Sequence, residues 1–292
     1  MTAGGISIPA PWKRRLLEYE LLAPLPASLV QTLRLLKDQR SSVHDLIKVL
    51  QYDPAVTADI LKLCNSPYYG LSRNVSSLKE SLLLIGTNEL HRMIHTLVAK
   101  RLFERNFHGY EEEKGELWRH SLAAAMIGEE LQKVVPRLEI DLFTTALLHD
   151  VGKIVLDSEV KKCQGEIEAL LEDKELSFSD AETKVLGINH AVAGAYLLER
   201  WHLPEPLVEA VLYHHSPGEQ APSSPALYAS LANVLAHLLG FSASKDALLT
   251  KGYPDLYKAV GIQESDLEKI LARSLDKIHD TLESLLSTQE KE

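Results

Sequence analysis

Hydrophobic positions recur at steps of three and four residues along nearly the whole chain. This is the period of an amphipathic α-helix, and no convincing run shows the two-residue alternation of a half-buried strand. Helix start signals precede several of the apolar segments. Ser42 stands before a segment with Leu46 and Leu50, and Asp53-Pro54 joins an amide-accepting side chain to a proline suited to a first helical turn. The pattern therefore predicts an all-α fold.

Further helices follow from the same reasoning. One begins at Pro26, others cover about 115–133 and about 138–156, and a charged amphipathic segment covers about 159–175. Pro204 begins another. Eight of the 12 histidines lie at or after position 120, so the later helices are where we expect the chemistry of the protein.

Residues 104–114 interrupt the apolar rhythm with charged residues and glycine, which indicates a connector. We therefore predict an N-terminal extension over 1–19 and an N-terminal helical half over 20–108. The second helical half, with the candidate site, covers 109–240, and a C-terminal helical extension covers 241–292.

Composition narrows the class of function. The 292 residues are 45% hydrophobic and carry a net charge of −10, which argues against binding to nucleic acid or to an anionic membrane. The first residues lack a basic region followed by an apolar stretch, so we expect no signal peptide. No apolar run reaches the length of a membrane-spanning helix, and the two cysteines are far apart. We expect a cytoplasmic protein.

One motif concentrates the candidate chemistry. In Thr145-Ala-Leu-Leu-His149-Asp150-Val-Gly-Lys153, two leucines run directly into an imidazole beside a carboxylate. Buried ionisable groups need a partner or a metal, and this pair of ligand types suits divalent transition metals. Neighbouring side chains on a helix can approach one ion only from its flank, so further ligands must come from elsewhere in the chain.

Other motifs stand in a fixed order around this one. They are Asp53-Pro54 followed by Asn65-Ser66, then Leu84-Ile-Gly86, Trp118-Arg-His120, and Trp201-x-Leu-Pro204. With this ordered set, roughly residues 20–240 resemble the HDOD domain, a module of bacterial signalling and regulatory proteins related to the HD superfamily of phosphohydrolases. The resemblance implies an HD-domain-like helical bundle with an N-terminal helical subdomain.

The resemblance also implies a metal site. HD phosphohydrolases bind metal through a histidine, the His-Asp pair and a distant aspartate, and the HD-GYP branch adds histidines for a second ion. The matching positions here are His120, His149, Asp150, His190, His214 and His215. The implied cofactor is one or two divalent ions of iron, manganese or zinc. If the protein is active, the implied catalytic residues are Asp150 and Lys153, the latter as a phosphate contact.

Three departures from the family pattern favour binding over catalysis. Asn233 stands where the distant aspartate is expected, and a neutral amide binds metal more weakly. The Gly-Tyr-Pro signature of the cyclic-dinucleotide phosphodiesterase branch does not stand close behind His214-His215; the tripeptide Gly252-Tyr253-Pro254 begins 37 residues after His215. Ser216 follows His215 where an acid is expected.

Three functional hypotheses follow. The first is a non-catalytic regulatory module that binds a metal and acts through a protein partner or a small phosphorylated ligand. The second is a metal-dependent phosphohydrolase of a nucleotide or another phosphoester, and the third is a di-iron oxygenase. The remaining histidines, His237 among them, are interpreted as ordinary capping, core or surface residues. The sequence indicates no oligomeric state.

Overall fold

The computed structural model describes residues 6–22, 35, 42–135, 138, 140–172, 176–201, 203–216, 224–241 and 253–286. These residues form helices and their connections, with no strand among them beyond an isolated bridge between Phe107 and Glu112. The prediction of an all-α fold is confirmed. Among the described helices, none combines the length and the hydrophobicity needed to cross a bilayer.

We number the α-helices along the chain. They are α1 (Ala10–Leu22), α2 (Val43–Leu50), α3 (Pro54–Cys64), α4 (Leu78–Phe103), α5 (Glu116–Val134), α6 (Leu142–Leu148), α7 (Lys153–Lys162), α8 (Gln164–Leu171), α9 (Phe178–Leu186), α10 (His190–Arg200), α11 (Glu205–Leu212), α12 (Pro225–Leu238), α13 (Tyr253–Ala259) and α14 (Glu264–Leu286).

The predicted helix starts in the first half of the chain are confirmed where they are described. The Ser42 hydroxyl accepts the backbone N–H of Asp45, and Asp53 Oδ1 accepts the N–H of Val56 at 3.0 Å. Each bond satisfies a donor that the first turn of a helix leaves unpaired. The helix predicted from Pro26 lies outside the described residues, apart from the helical Leu35.

The described residues fall into two compact units. One comprises those within Met1–Ala23 and Phe103–Ala272, and the other those within Pro24–Leu102 and Arg273–Glu292. In the first unit α5 packs against α6 and α12, and α10 packs against α7 and α11. Trp118 on α5 is fully buried in this unit. The predicted domain boundaries remain predictions, because contacts among the residues of a unit do not test whether that unit folds alone.

The helix predicted over about 138–156 is interrupted, which corrects the sequence interpretation. Helix α6 ends at Leu148 and α7 begins at Lys153, with a turn over 149–152. The turn packs against the backbone of α10 at Gly152, where an added Cβ would lie 1.9 Å from the carbonyl oxygen of His190. This tertiary contact holds the backbone in a tight turn, so His149 and Asp150 lie between two helices. The predicted segment 159–175 is likewise divided, since α7 ends at Lys162 and α8 begins at Gln164.

Candidate metal centre

The six predicted ligand residues converge in the first unit. His120 lies on α5, the His149-Asp150 pair lies in the turn after α6, and His190 is the first residue of α10. His214 and His215 follow the end of α11. All six except the partly exposed His215 are buried.

Asp150 stands between two groups of histidines. Its Oδ2 lies 3.4 Å from His149 Nε2 and 3.9 Å from His120 Nε2. Its Oδ1 lies 3.3 Å from His190 Nε2 and 3.8 Å from His214 Nε2. Each carboxylate oxygen therefore faces its own group, an arrangement that allows one carboxylate to serve two neighbouring metal ions.

The histidine nitrogens within each group are also close together. His120 Nε2 lies 3.3 Å from His149 Nε2, and His190 Nε2 lies 2.6 Å from His215 Nε2. In both groups one ligand atom from each residue lies within 4.8 Å of the others. We call these the His120/His149 group and the His190/His214/His215 group, with Asp150 common to both. Nitrogen donors with one carboxylate suit a divalent transition metal, so the residues fit the cofactor that the family resemblance implies.

Hydrogen bonds at the far side of three rings fix their orientation. His149 Nδ1 donates to the carbonyl oxygen of Ala146 at 2.6 Å, and His214 Nδ1 donates to that of Val211 at 2.7 Å. His190 Nδ1 lies 2.6 Å from a carboxylate oxygen of Glu182. When Nδ1 carries the proton, the lone pair of Nε2 faces the cluster, as metal binding requires.

The charge states also favour metal binding. Burial lowers the pKa of His120, His214 and His215 well below the ordinary value, and neighbouring histidines add to the effect. Burial alone would raise the pKa of Asp150, but His149 and Lys153 outweigh it and bring that pKa well below its ordinary value. Near neutral pH these histidines are therefore neutral and Asp150 is anionic, which are the forms that bind metals.

Lys153 is held against the same carboxylate. Its side chain is 1% exposed, and Nζ lies 2.8 Å from Asp150 Oδ2 and 3.3 Å from Glu112 Oε1. Two buried carboxylates therefore balance the buried ammonium group. The two residues predicted as catalytic in an active enzyme form a direct ion pair, and their catalytic role stays a prediction.

Sequence reasoning missed three residues that contact either the cluster or Lys153 beside it. Glu112 binds Lys153, and the fully buried Glu182 binds His190. His237, interpreted as an ordinary residue, packs against His120 with 4.4 Å between the centroids of the two rings. The only sequence signal for Glu182 was its position eight residues before the candidate ligand His190. Glutamates at such a distance are too common for this spacing to indicate a contact.

Asn233 lies one helical turn before His237 on α12. The side chain is buried, and its Oδ1 has no hydrogen-bond partner in the described part of the structure. Burying an unpaired amide oxygen is costly, so this oxygen is available to a ligand or a water molecule. It does not, however, supply the charge of the aspartate expected at this position.

The HDOD domain family model matches residues 22–217. Among curated relatives, an uncharacterized protein of Treponema pallidum (strain Nichols) is 24% identical over 214 residues, which are 73% of this chain and 40% of that protein. The uncharacterized protein YuxH of Bacillus subtilis (strain 168) is 24% identical over 143 residues, 46% of this chain and 34% of that protein. The chain spans less than half the length of either relative.

Solved structures share the fold. A presumed phosphohydrolase of Shewanella amazonensis SB2B has a TM-score of 0.73 and 21% identity, covering 93% of this chain and 98% of that chain. An HDOD domain protein of unknown function from Geobacter sulfurreducens has a TM-score of 0.68 and 22% identity, covering 94% of this chain and 98% of that chain. At these identities the similarity establishes the fold alone.

Proposed function

The chain belongs to the HDOD family, and on this basis we propose that it is a metal-binding regulatory module. In this proposal the His/Asp cluster holds one or two divalent ions of iron, manganese or zinc. The module then acts through a protein partner or a small phosphorylated ligand and does not hydrolyse that ligand.

The position of Asp150 between the two histidine groups is the observation that carries the metal-binding part. An anionic carboxylate and five histidines from four segments of the chain meet within one buried region. Without a shared ligand, bringing these groups together would cost the free energy of their desolvation, and few new interactions would offset that cost. A bound divalent ion would stabilise the arrangement, because it binds the folded cluster far better than the separated ligands of the unfolded chain.

Two features support a regulatory role over hydrolysis. The positive charge of Lys153 is directed to Asp150 and Glu112, so it is already balanced and is a poor phosphate contact. Asn233 brings no negative charge to the cluster, and a missing carboxylate weakens the binding of a catalytic ion.

Turnover by metal-loaded protein tests this part of the proposal. The 292-residue chain, loaded with Mn²⁺, Fe²⁺ or Zn²⁺, would be incubated with phosphomonoesters, nucleotides and cyclic dinucleotides, beside the matched variant Asp150→Asn. We expect the two proteins to show the same background rate. If the wild type hydrolyses one of these compounds and the variant does not, the hypothesis of a non-catalytic regulatory module is rejected.

That result would instead support the second candidate, a metal-dependent phosphohydrolase. The shared carboxylate favours it as a specific observation, because two neighbouring ions can stabilise the attacking and leaving oxygens of a phosphoester. In that case Asp150 would hold the ions, and Lys153 would have to leave Glu112 to reach the phosphate.

A further inference from the structure

The ammonium group of Lys153 uses the same carboxylate oxygen that a metal ion in the His120/His149 group would use. Lys153 Nζ lies 2.8 Å from Asp150 Oδ2, and that oxygen lies 3.4 Å from His149 Nε2. A divalent ion bound by these ligands would lie beside a fixed positive charge. Since like charges repel strongly where water is excluded, Lys153 opposes the binding of that ion.

The carboxylate of Glu112 also attracts the ammonium group of Lys153. Its Oε1 lies 3.3 Å from Lys153 Nζ, and the residue is 4% exposed. The more strongly Glu112 attracts Lys153, the less the ammonium group competes for Asp150. Glu112 therefore favours metal binding through its effect on Lys153.

The backbone around Glu112 holds this carboxylate in place. The N–H of Phe107 donates to the carbonyl oxygen of Glu112 at 2.9 Å, and Glu111 has a φ of 57°, a conformation that non-glycine residues seldom adopt. The N–H of Gly109 donates to Asp157 Oδ1 on α7 at 2.7 Å. The turn is thus anchored on the helix that begins with Lys153, which maintains the spacing of the two charges.

We propose that Lys153 is an internal cation that limits the metal affinity of the His120/His149 group, and that Glu112 raises this affinity by sharing the lysine charge. Both are positioning residues for the metal centre, and neither is a ligand. The inference rests on the proposed function, because it requires that the cluster binds a metal.

Substitution of the two residues has opposite expected effects on affinity. Lys153→Met removes the competing charge and should strengthen Mn²⁺ binding about tenfold, the scale of outer-sphere effects on metal sites. Glu112→Gln removes one of the two carboxylate charges beside Lys153 and should weaken binding by about the same factor. In the double variant, Glu112→Gln should change the affinity much less than it does alone. A purely structural role for the pair predicts weaker binding in both single variants.

The experiment uses the full chain, stripped with a chelator and titrated with Mn²⁺ by calorimetry. Glu113→Gln is the matched control, because it removes the same charge from the exposed neighbouring glutamate. Circular dichroism verifies folding, and Lys153→Gln replaces Lys153→Met if the latter is not folded. Weaker binding in either lysine variant overturns the inference. An affinity of Glu112→Gln equal to that of Glu113→Gln also overturns it, and this comparison needs no lysine variant.

The two proposals fail in distinguishable ways. If the wild type binds none of Mn²⁺, Fe²⁺ and Zn²⁺, the proposed metal-binding function fails. If the wild type binds an ion and the two substitutions lack their opposite signs, only the role of Lys153 and Glu112 fails.

Discussion

Glu182 holds His190 at two points through one carboxylate oxygen. Oε2 accepts the backbone N–H of His190 at 3.0 Å and also lies 2.6 Å from its Nδ1. The other oxygen accepts the hydroxyl of Tyr110 at 2.5 Å. Glu182 and His190 are fully buried, so the ring has little freedom to turn away from Asp150.

The first prediction concerns this interaction. In Glu182→Gln, the neutral amide holds the His190 ring less firmly, so metal affinity of the His190/His214/His215 group should fall about 10- to 100-fold. Titration of stripped protein with Zn²⁺ measures the change. Tyr110→Phe, which removes only the outer hydrogen bond, should show a smaller loss. An unchanged affinity in Glu182→Gln would mean that Glu182 does not orient the ligand.

The second prediction concerns the turn that carries the His-Asp pair. In Gly152→Ala the new Cβ would lie 1.9 Å from the carbonyl oxygen of His190 and 2.6 Å from the backbone nitrogen of Gly194. Backbone atoms cannot move aside cheaply, so the variant should lose about 3 kcal/mol or more of unfolding free energy, measured in urea.

The control for this substitution is Gly165→Ala on α8. Apart from the adjacent residues and the backbone of the helix itself, no atom lies within 4 Å of the Cβ added there, and alanine favours a helix. It should be neutral or gain about 0.5–1 kcal/mol. Equal stability of the two variants would contradict the packing of the turn against α10.

The difference between local and tertiary signals explains what the sequence could predict. The helix starts at Ser42 and Asp53 depend on residues within one turn, and they were predicted correctly. The break after Leu148 was missed, because the apolar period continues through Val151 and Ile154 and the cause of the break lies on α10.

The residues of the candidate site also divide into those that the sequence could predict and those that it could not. The ordered family motifs indicated the six residues, and the structure brings them together, although their role as ligands still awaits a test. The supporting residues were hidden. Glu111, Glu112 and Glu113 are identical in type, and only the backbone turn decides that Glu112 is the buried one. No local pattern distinguishes it from the two exposed glutamates.

The third prediction concerns the pH dependence of the stripped protein. Burial lowers the pKa of His237 to about 4 and brings those of His120 and His214 well below the ordinary 6.5. Below about pH 6.5 the unfolded chain therefore binds more protons than the folded protein. The free energy of unfolding consequently decreases as the pH is lowered. The loss should begin below about pH 6.5 and, for His237, be complete below about pH 4.

Urea unfolding at pH 7.5 and pH 5 in the presence of a chelator measures this loss. His237 alone should account for about 2 kcal/mol between these two values, so His237→Gln should show a correspondingly smaller decrease. If the wild type and this variant lose the same stability, the partly buried His237 does not have the lowered pKa on which this prediction rests.

Metal content tests the central claim most directly. The full chain, purified and then exposed to Mn²⁺, Fe²⁺ or Zn²⁺, would be desalted and measured by inductively coupled plasma mass spectrometry, beside Asp150→Asn. We predict one or two equivalents of a divalent ion in the wild type and a loss of most of it in the variant, because Asp150 belongs to both groups of candidate ligands. A folded wild-type protein that retains no ion, or an Asp150→Asn variant that retains the full amount, would contradict the assignment of this cluster as a metal centre.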